Sequence, residues 1–171
     1  MALRMMLLAP LSMAGTPLTP AVARVPSLCA APELALFACS FRHKVVALCA
    51  GGRAGQRSVQ YRFGQPGKSE LNYPPQRIGS GGMTYARTGY SGGGELRVQF
   101  AISGTRYALY SRTIRTNFSR EGRHDPQSNG GVLVAAKGKP VVDLPCRHPV
   151  DPPVARNLEQ LLPAGDFIEL D

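Results

Sequence analysis

Beyond its first residues the chain has no apolar run long enough to cross a bilayer, no closely spaced cysteine pair and only three histidines. Each absence excludes a class of protein. A spanning helix needs about 20 predominantly apolar residues, so no transmembrane segment is expected. Structural zinc sites draw on pairs such as Cys-x2-Cys, whereas nine, nine and 96 residues separate Cys29, Cys39, Cys49 and Cys146. A metal site that borrows His43 or His148 is therefore a poor reading, and no cofactor is expected. Arg123-His124-Asp125 is the one imidazole beside a carboxylate in a polar loop. Sequence neighbours seldom orient one another as base and partner, and no nucleophile accompanies them. A sugar-hydrolysing carboxylate pair would have to come from Glu70, Glu95 and Glu121, of which Glu95 is already claimed by a cross-strand arginine. The stretches Gly79-Ser-Gly-Gly82 and Ser91-Gly-Gly-Gly94 lack the strand-to-helix setting and the Lys-Ser/Thr of a phosphate cradle. They read as loops at one end of a sheet, serving as linkers or as recognition loops.

What the N-terminus does have is an address. A basic start (Met1-Ala2-Leu3-Arg4), an apolar run from Met5 to about Ala14, and small residues at Ala21 and Ala23 predict a secretory signal over 1–23, cleaved before Arg24. The run is too short to span a membrane and is interrupted by Pro10, Pro17 and Pro20. Leu28 stands where a lipoprotein signal wants a small residue before its cysteine. The remaining 148 residues suit one domain with a full hydrophobic core, placed in the periplasm or secreted. In an oxidising compartment the four cysteines read as disulfides, with three pairings open. A hairpin with a three-residue loop at His43, Lys44 and Val45 sets Cys39 opposite Cys49, which leaves Cys29 to meet Cys146.

The dominant period of the chain is two. From Glu95 to Ser103, Leu96, Val98, Phe100 and Ile102 alternate with polar neighbours, one face for core and one for solvent. Ser103-Gly104 then reads as a two-residue turn that pairs Ile102 with Thr105, Phe100 with Tyr107, Val98 with Leu109, Arg97 with Tyr110 and Glu95 with Arg112. Ser58 to Phe63 points Val59, Tyr61 and Phe63 inward, and Gln65-Pro66-Gly67-Lys68 turns it into Glu70 to Tyr73. Lys137-Gly138-Lys139 aligns Val132 with Leu144 and Val134 with Val142. With Met83 to Arg87 and the cysteine hairpin, about nine short strands predict an all-β fold, an antiparallel sandwich or small barrel. A helical turn fits only at Val154 to Leu162, started by Asp151-Pro-Pro and stopped by Pro163.

Charge divides the mature chain into a basic domain, 24–148, and an acidic tail, 149–171. The first carries 18 basic and 6 acidic side chains, the second one basic and five acidic. Sixteen of the 20 basic residues are arginine, which bonds phosphate and carboxylate in a planar, bidentate way. Arg97, Arg106, Tyr110, Arg112, Arg115, Arg120 and Arg123 cluster around one hairpin and the loop after it, and form the candidate binding face. A solvated sheet face is the bland alternative, and the acidic tail folding back over it is another. The partner this charge favours is an acidic envelope polymer, a lipid headgroup or an acidic protein surface. Nucleic acid is disfavoured, since no recognition helix or stacking platform is present.

Tyr61-Arg-Phe-Gly64, Gly67-Lys-Ser-Glu-Leu71 and the Phe-x-Cys to Cys hairpin from Phe37 to Cys49 resemble a group of small exported bacterial proteins of unassigned activity. Ser80-Gly-Gly-Met-Thr-Tyr85 is similar to the Ser-Gly-x-Gly-x-x-Tyr loop of periplasmic c-type lysozyme inhibitors, with one glycine-loop position missing. That likeness implies an inhibitory role for Ser80 and Tyr85. The sequence as a whole thus predicts an exported, disulfide-stabilised β protein that binds or inhibits rather than catalyses. A small secreted hydrolase and an envelope structural or assembly factor are the alternatives.

Overall fold

A computed structural model describes residues 27–53, 56–117, 119, 122, 125–147 and 154–170. The expected signal, Glu121, His124, His148 and two of the candidate binding residues, Arg120 and Arg123, lie outside them. Nine strands form: β1 Leu34–Phe41, β2 Lys44–Arg53, β3 Gln56–Gln65, β4 Lys68–Tyr73, β5 Thr84–Tyr90, β6 Gly93–Ile102, β7 Thr105–Thr116, β8 Asp125–Ala135 and β9 Val142–Pro145. One helix follows, α1 Val154–Leu161. The strands are antiparallel and make two meanders, a four-stranded sheet in the order β1-β2-β3-β4 and a five-stranded sheet in the order β5-β6-β7-β8-β9. This is the sandwich of the two expected alternatives.

Alternation decides how the two sheets meet. Val46, Leu48, Val59 and Tyr61 of the first sheet share a core with Val98, Phe100, Leu109 and Val132 of the second. Four aromatic rings cross the gap: Phe100 sits 5.0 Å from Tyr61, 5.0 Å from Tyr73 and 5.2 Å from Tyr107. Offset and tilted pairs of this kind add roughly 0.5–1.5 kcal/mol each beyond the area they bury. Burial also raises the pKa of the Tyr61 phenol. The helix contributes Leu158, and the residue just after it, Leu162, is buried in the same core. Charge sets residues 149–171 apart from the rest of the chain; the packing of Leu158, Leu161 and Leu162 joins this segment to it.

The hairpin registers follow the alternation closely. Ile102 pairs with Thr105, Phe100 with Tyr107, Val98 with Leu109, Arg97 with Tyr110 and Glu95 with Arg112. Ser103 and Gly104 both take left-handed φ, 48° and 80°, as a two-residue turn matched to strand twist requires. Val132 aligns with Leu144 and Val134 with Val142. Gln65 pairs with Lys68 across Pro66-Gly67. Two local readings are corrected. Ser91-Gly92 is a tight turn, with Gly93 and Gly94 already inside β6. Asp125 to Gly131, beyond the expected strand start at Val132, is the first half of β8.

The disulfides differ from the expected pairing. Cys29 is bonded to Cys49 and Cys39 to Cys146, with Cα separations of 5.4 and 5.2 Å. The cause is the length of the first turn. Only Arg42 and His43 lie between Phe41 and Lys44, so Cys39 faces Val46 rather than Cys49. Val46 and Cys49 are three residues apart and so point to opposite faces of β2. Cys39 is directed into the core with Val46, while Cys49 lies on the outer face with Val45 and Ala47. Cys39–Cys146 therefore joins β1 to the end of β9, where the Arg147 N–H also donates to the Ser40 carbonyl at 3.0 Å. Cys29–Cys49 holds residues 27–33 against the outside of the first sheet.

Candidate functional site

Both outer faces are roofed by chain, and each roof is held by one buried arginine. On the first sheet Gln60 and Arg62 stand on the outer side of β3, opposite Cys49 and Ala47. Arg62 is directed at four acceptors. Its Nη1 and Nη2 donate to Glu33 Oε2 and Oε1 at 2.7 and 2.6 Å, its Nη1 also to the Leu28 carbonyl at 2.8 Å, and its Nε to Gln60 Oε1 at 2.8 Å. Gln60 Nε2 donates to the Pro74 carbonyl at 2.8 Å. A bidentate pair this enclosed, with side-chain exposures of 4% and 11%, stabilises only because its remaining donors are satisfied. The Arg62 hydrogen bonds hold the Glu33 carboxyl below the usual carboxylate range; burial opposes them, and the Ala30 N–H and Arg77 assist.

Beside this network lies an open cleft of about 400 Å³, bounded by residues 27–30 of the N-terminal strap and by Gln60, Arg62, Ser69, Asn72 and Arg77. The volume falls in the range of small-molecule sites, roughly 300–1,000 Å³. Arg77 approaches Glu33 Oε1 at 3.4 Å, from a side chain that is 63% exposed. One carboxylate thus faces two guanidinium groups, and the balance at the cleft mouth is positive. Ser69 Oγ, bonded to Asn72 Oδ1 at 2.6 Å, adds neutral hydrogen-bonding capacity on the same rim.

The second sheet holds most of the arginines singled out in the sequence. Alternation along β6 and β7 puts Arg97, Arg106, Tyr110 and Arg112 on one outer face. Alternation gives this face to solvent, yet Glu95, Arg97 and Gln99 are buried, because residues 163–168 fold back over them, the alternative that the acidic tail offered. Glu95 again serves two arginines, Arg97 Nε at 2.5 Å and Arg112 Nε at 3.7 Å. The Phe167 ring covers the Arg97 guanidinium at 4.0 Å, and Arg112 lies 4.9 Å from the Tyr110 ring. Tyr110 donates to Asp143 Oδ1 at 3.0 Å, and burial with that carboxylate pushes its pKa up to about 12. Its ring lies against Gly131, where a Cβ would meet the phenol oxygen at 2.7 Å.

The other candidates are dispersed. Arg106 is exposed on this face, whereas Arg115 has the opposite parity and lies along Gly92. Ser80 sits in the turn that binds the Met83 N–H, and Tyr85 is a β5 residue packed against the core. Glu70 is ion-paired with Lys44 on the first sheet, a different sheet from Glu95. Among the described residues no three His, Cys, Asp or Glu side chains converge as metal ligands. Sequence reasoning missed Glu33, Gln60, Arg62 and Arg77. The available signal was the repeat of Gln60-Tyr-Arg62 in Arg97-Val-Gln99, one glutamine and one arginine on the same face of a strand.

Compared with protein families, curated proteins and solved structures, the chain matches none.

Proposed function

We propose that this protein is an exported binding module that captures an acidic partner, a phosphate- or carboxylate-bearing component of the cell envelope, through the cleft beneath its N-terminal strap. The observation that carries this reading is the two-to-one ratio of guanidinium to carboxylate at that cleft, with Arg77 exposed at its mouth. A planar guanidinium on a pre-shaped polar rim suits bidentate capture of an anion. The surrounding charge supports it, since residues 24–148 carry 18 basic against 6 acidic side chains, and such an excess steers acidic partners inward. Export is inferred from the signal-like start and from two disulfides; no helix among the described residues is long and apolar enough to cross a membrane.

Equilibrium binding of the purified full chain to fluorescent polyglutamate and to polyphosphate tests the reading. Saturable binding to at least one polymer at 50 mM salt is expected, weakening at least about tenfold by 300 mM because a surface anion contact is screened. Arg77→Gln should weaken it several-fold without changing the free energy of unfolding by more than about 1 kcal/mol, the usual scale of an exposed ion pair. Absence of binding at low salt, or equal binding by Arg77→Gln, would overturn the proposal.

A further inference from the structure

The C-terminal strap is held by a set of contacts that reads backbone and almost nothing else. At the free edge of β5, the Tyr85 N–H donates to the Pro163 carbonyl at 3.0 Å and the Tyr85 carbonyl accepts the Gly165 N–H at 2.8 Å. These bonds make a parallel bridge between Tyr85 and Ala164, which adds one more short strand to the sheet. The chain then turns across the outer face. Gln99 Nε2 donates to the Asp166 carbonyl at 2.8 Å, Gln99 Oε1 accepts the Ile168 N–H at 3.1 Å, and Arg97 Nη1 donates to the Ile168 carbonyl at 2.8 Å. All five bonds end on main-chain atoms of the strap. Two side-chain requirements accompany them. Position 165 must be glycine, because a Cβ there would approach Thr84 Oγ1 to 2.6 Å, and position 167 places an aromatic ring over Arg97. Asp166, Ile168 and Glu169 face solvent, with Ile168 44% exposed.

Gln99 gives both of its side-chain polar atoms, and Arg97 its Nη1, to main-chain atoms of the strap, which is the pattern of a built recognition surface. Edge addition supplies affinity through backbone bonds, and a few side-chain positions supply selectivity. No disulfide holds the occupant down, since both lie N-terminal to residue 147.

We infer that the outer face of the second sheet is a peptide-binding groove for an extended segment of a partner protein with the pattern Gly-x-aromatic, and that residues 163–168 are its resident occupant in cis. The groove is separate from the cleft of the first sheet and does not depend on that site's function. A free peptide must displace an occupant whose effective concentration is ~mM.

The test uses the full chain and a fluorescent peptide of residues 163–170. In the variant Gly165→Val with Phe167→Ala, which unseats the strap while keeping Leu158 and Leu162, the peptide should bind saturably and at least tenfold more tightly than to the unaltered chain. Adding Arg97→Met to that variant should abolish binding. A folded variant that does not bind, or binding indifferent to Arg97→Met, would overturn the inference. Hydrogen exchange on the unaltered chain is a second arm, independent of whether the variant folds. The Gly165 and Ile168 amides should exchange at least tenfold faster than the paired amide of Leu109, and equal protection would make the strap a fixed part of the fold.

Discussion

On the first sheet, Arg62 of β3 reaches up to a strap that Cys29–Cys49 ties down; on the second, Arg97 and Gln99 of β6 reach up to one that no disulfide holds. In each case an arginine Nη1 donates to a strap carbonyl, a nearby glutamate neutralises it, and a second arginine shares that glutamate. The difference lies in what surrounds the arginine. Beside the tethered strap the face stays open as a cleft of about 400 Å³, whereas the untethered strap lays an aromatic ring on its arginine at 4.0 Å. A covalent anchor lets a roof stand over empty space; without one, the roof is held by the contacts it makes. The same local device therefore leaves an open cleft on one sheet and a covered face on the other.

The largest expected effect comes from removing the shared carboxylate of the second face. Glu95→Gln leaves Arg97 buried without its counter-charge, and should cost about 3–5 kcal/mol in urea unfolding, as the loss of one partner of an enclosed pair does. A cost below about 1 kcal/mol would mean that Phe167 and the Ile168 carbonyl carry Arg97 by themselves, and the two faces would not be equivalent. Next is the tether. Cys29→Ala with Cys49→Ala opens a loop of 20 residues and should cost about 3 kcal/mol. It should also raise hydrogen exchange at Ala30 and Cys29 to the level of the C-terminal strap, and so remove the contrast between the roofs. The smallest effect is one of pH. Because Glu33 is held below its ordinary range, the stability it contributes is complete above the unfolded carboxylate pKa and is lost as pH falls through the lowered value. The urea midpoint should therefore drop between pH 5 and pH 3, and the drop should be shallower in Glu33→Gln; parallel curves would show that the Glu33–Arg62 pair is not linked to folding.

Strand number and pairing were legible because they depend on neighbours. Val98, Phe100 and Ile102 alternate, Ser103-Gly104 can take left-handed φ at both residues, and the register of β6 and β7 follows. The same reasoning missed what depends on distant chain. Alternation makes Glu95, Arg97 and Gln99 look like a solvent face because the segment that buries them lies about 70 residues away; only the charge split between domain and tail pointed to the fold-back. The outer face of β3 looks exposed for the same reason, and Glu33, three residues from the end of a strap, carries no pattern at all. The cysteine pairing failed on a single residue of turn length. Two residues at Arg42-His43 instead of three shift β1 against β2 and place Cys39 and Cys49 on opposite faces.

That separation of faces also bears on the order in which the chain is made. Synthesis runs from the N-terminus, so Cys29, Cys39 and Cys49 all exist well before Cys146 does. Both sheets are meanders in chain order, and each hairpin can close as soon as its second strand appears. Once β1 has paired with β2, Cys49 is presented to Cys29 on the outside while Cys39 points inward, toward a sheet that has not yet been made. The first hairpin thus acts as a sorting device: it commits one thiol early and keeps the other in reserve for a partner 107 residues downstream.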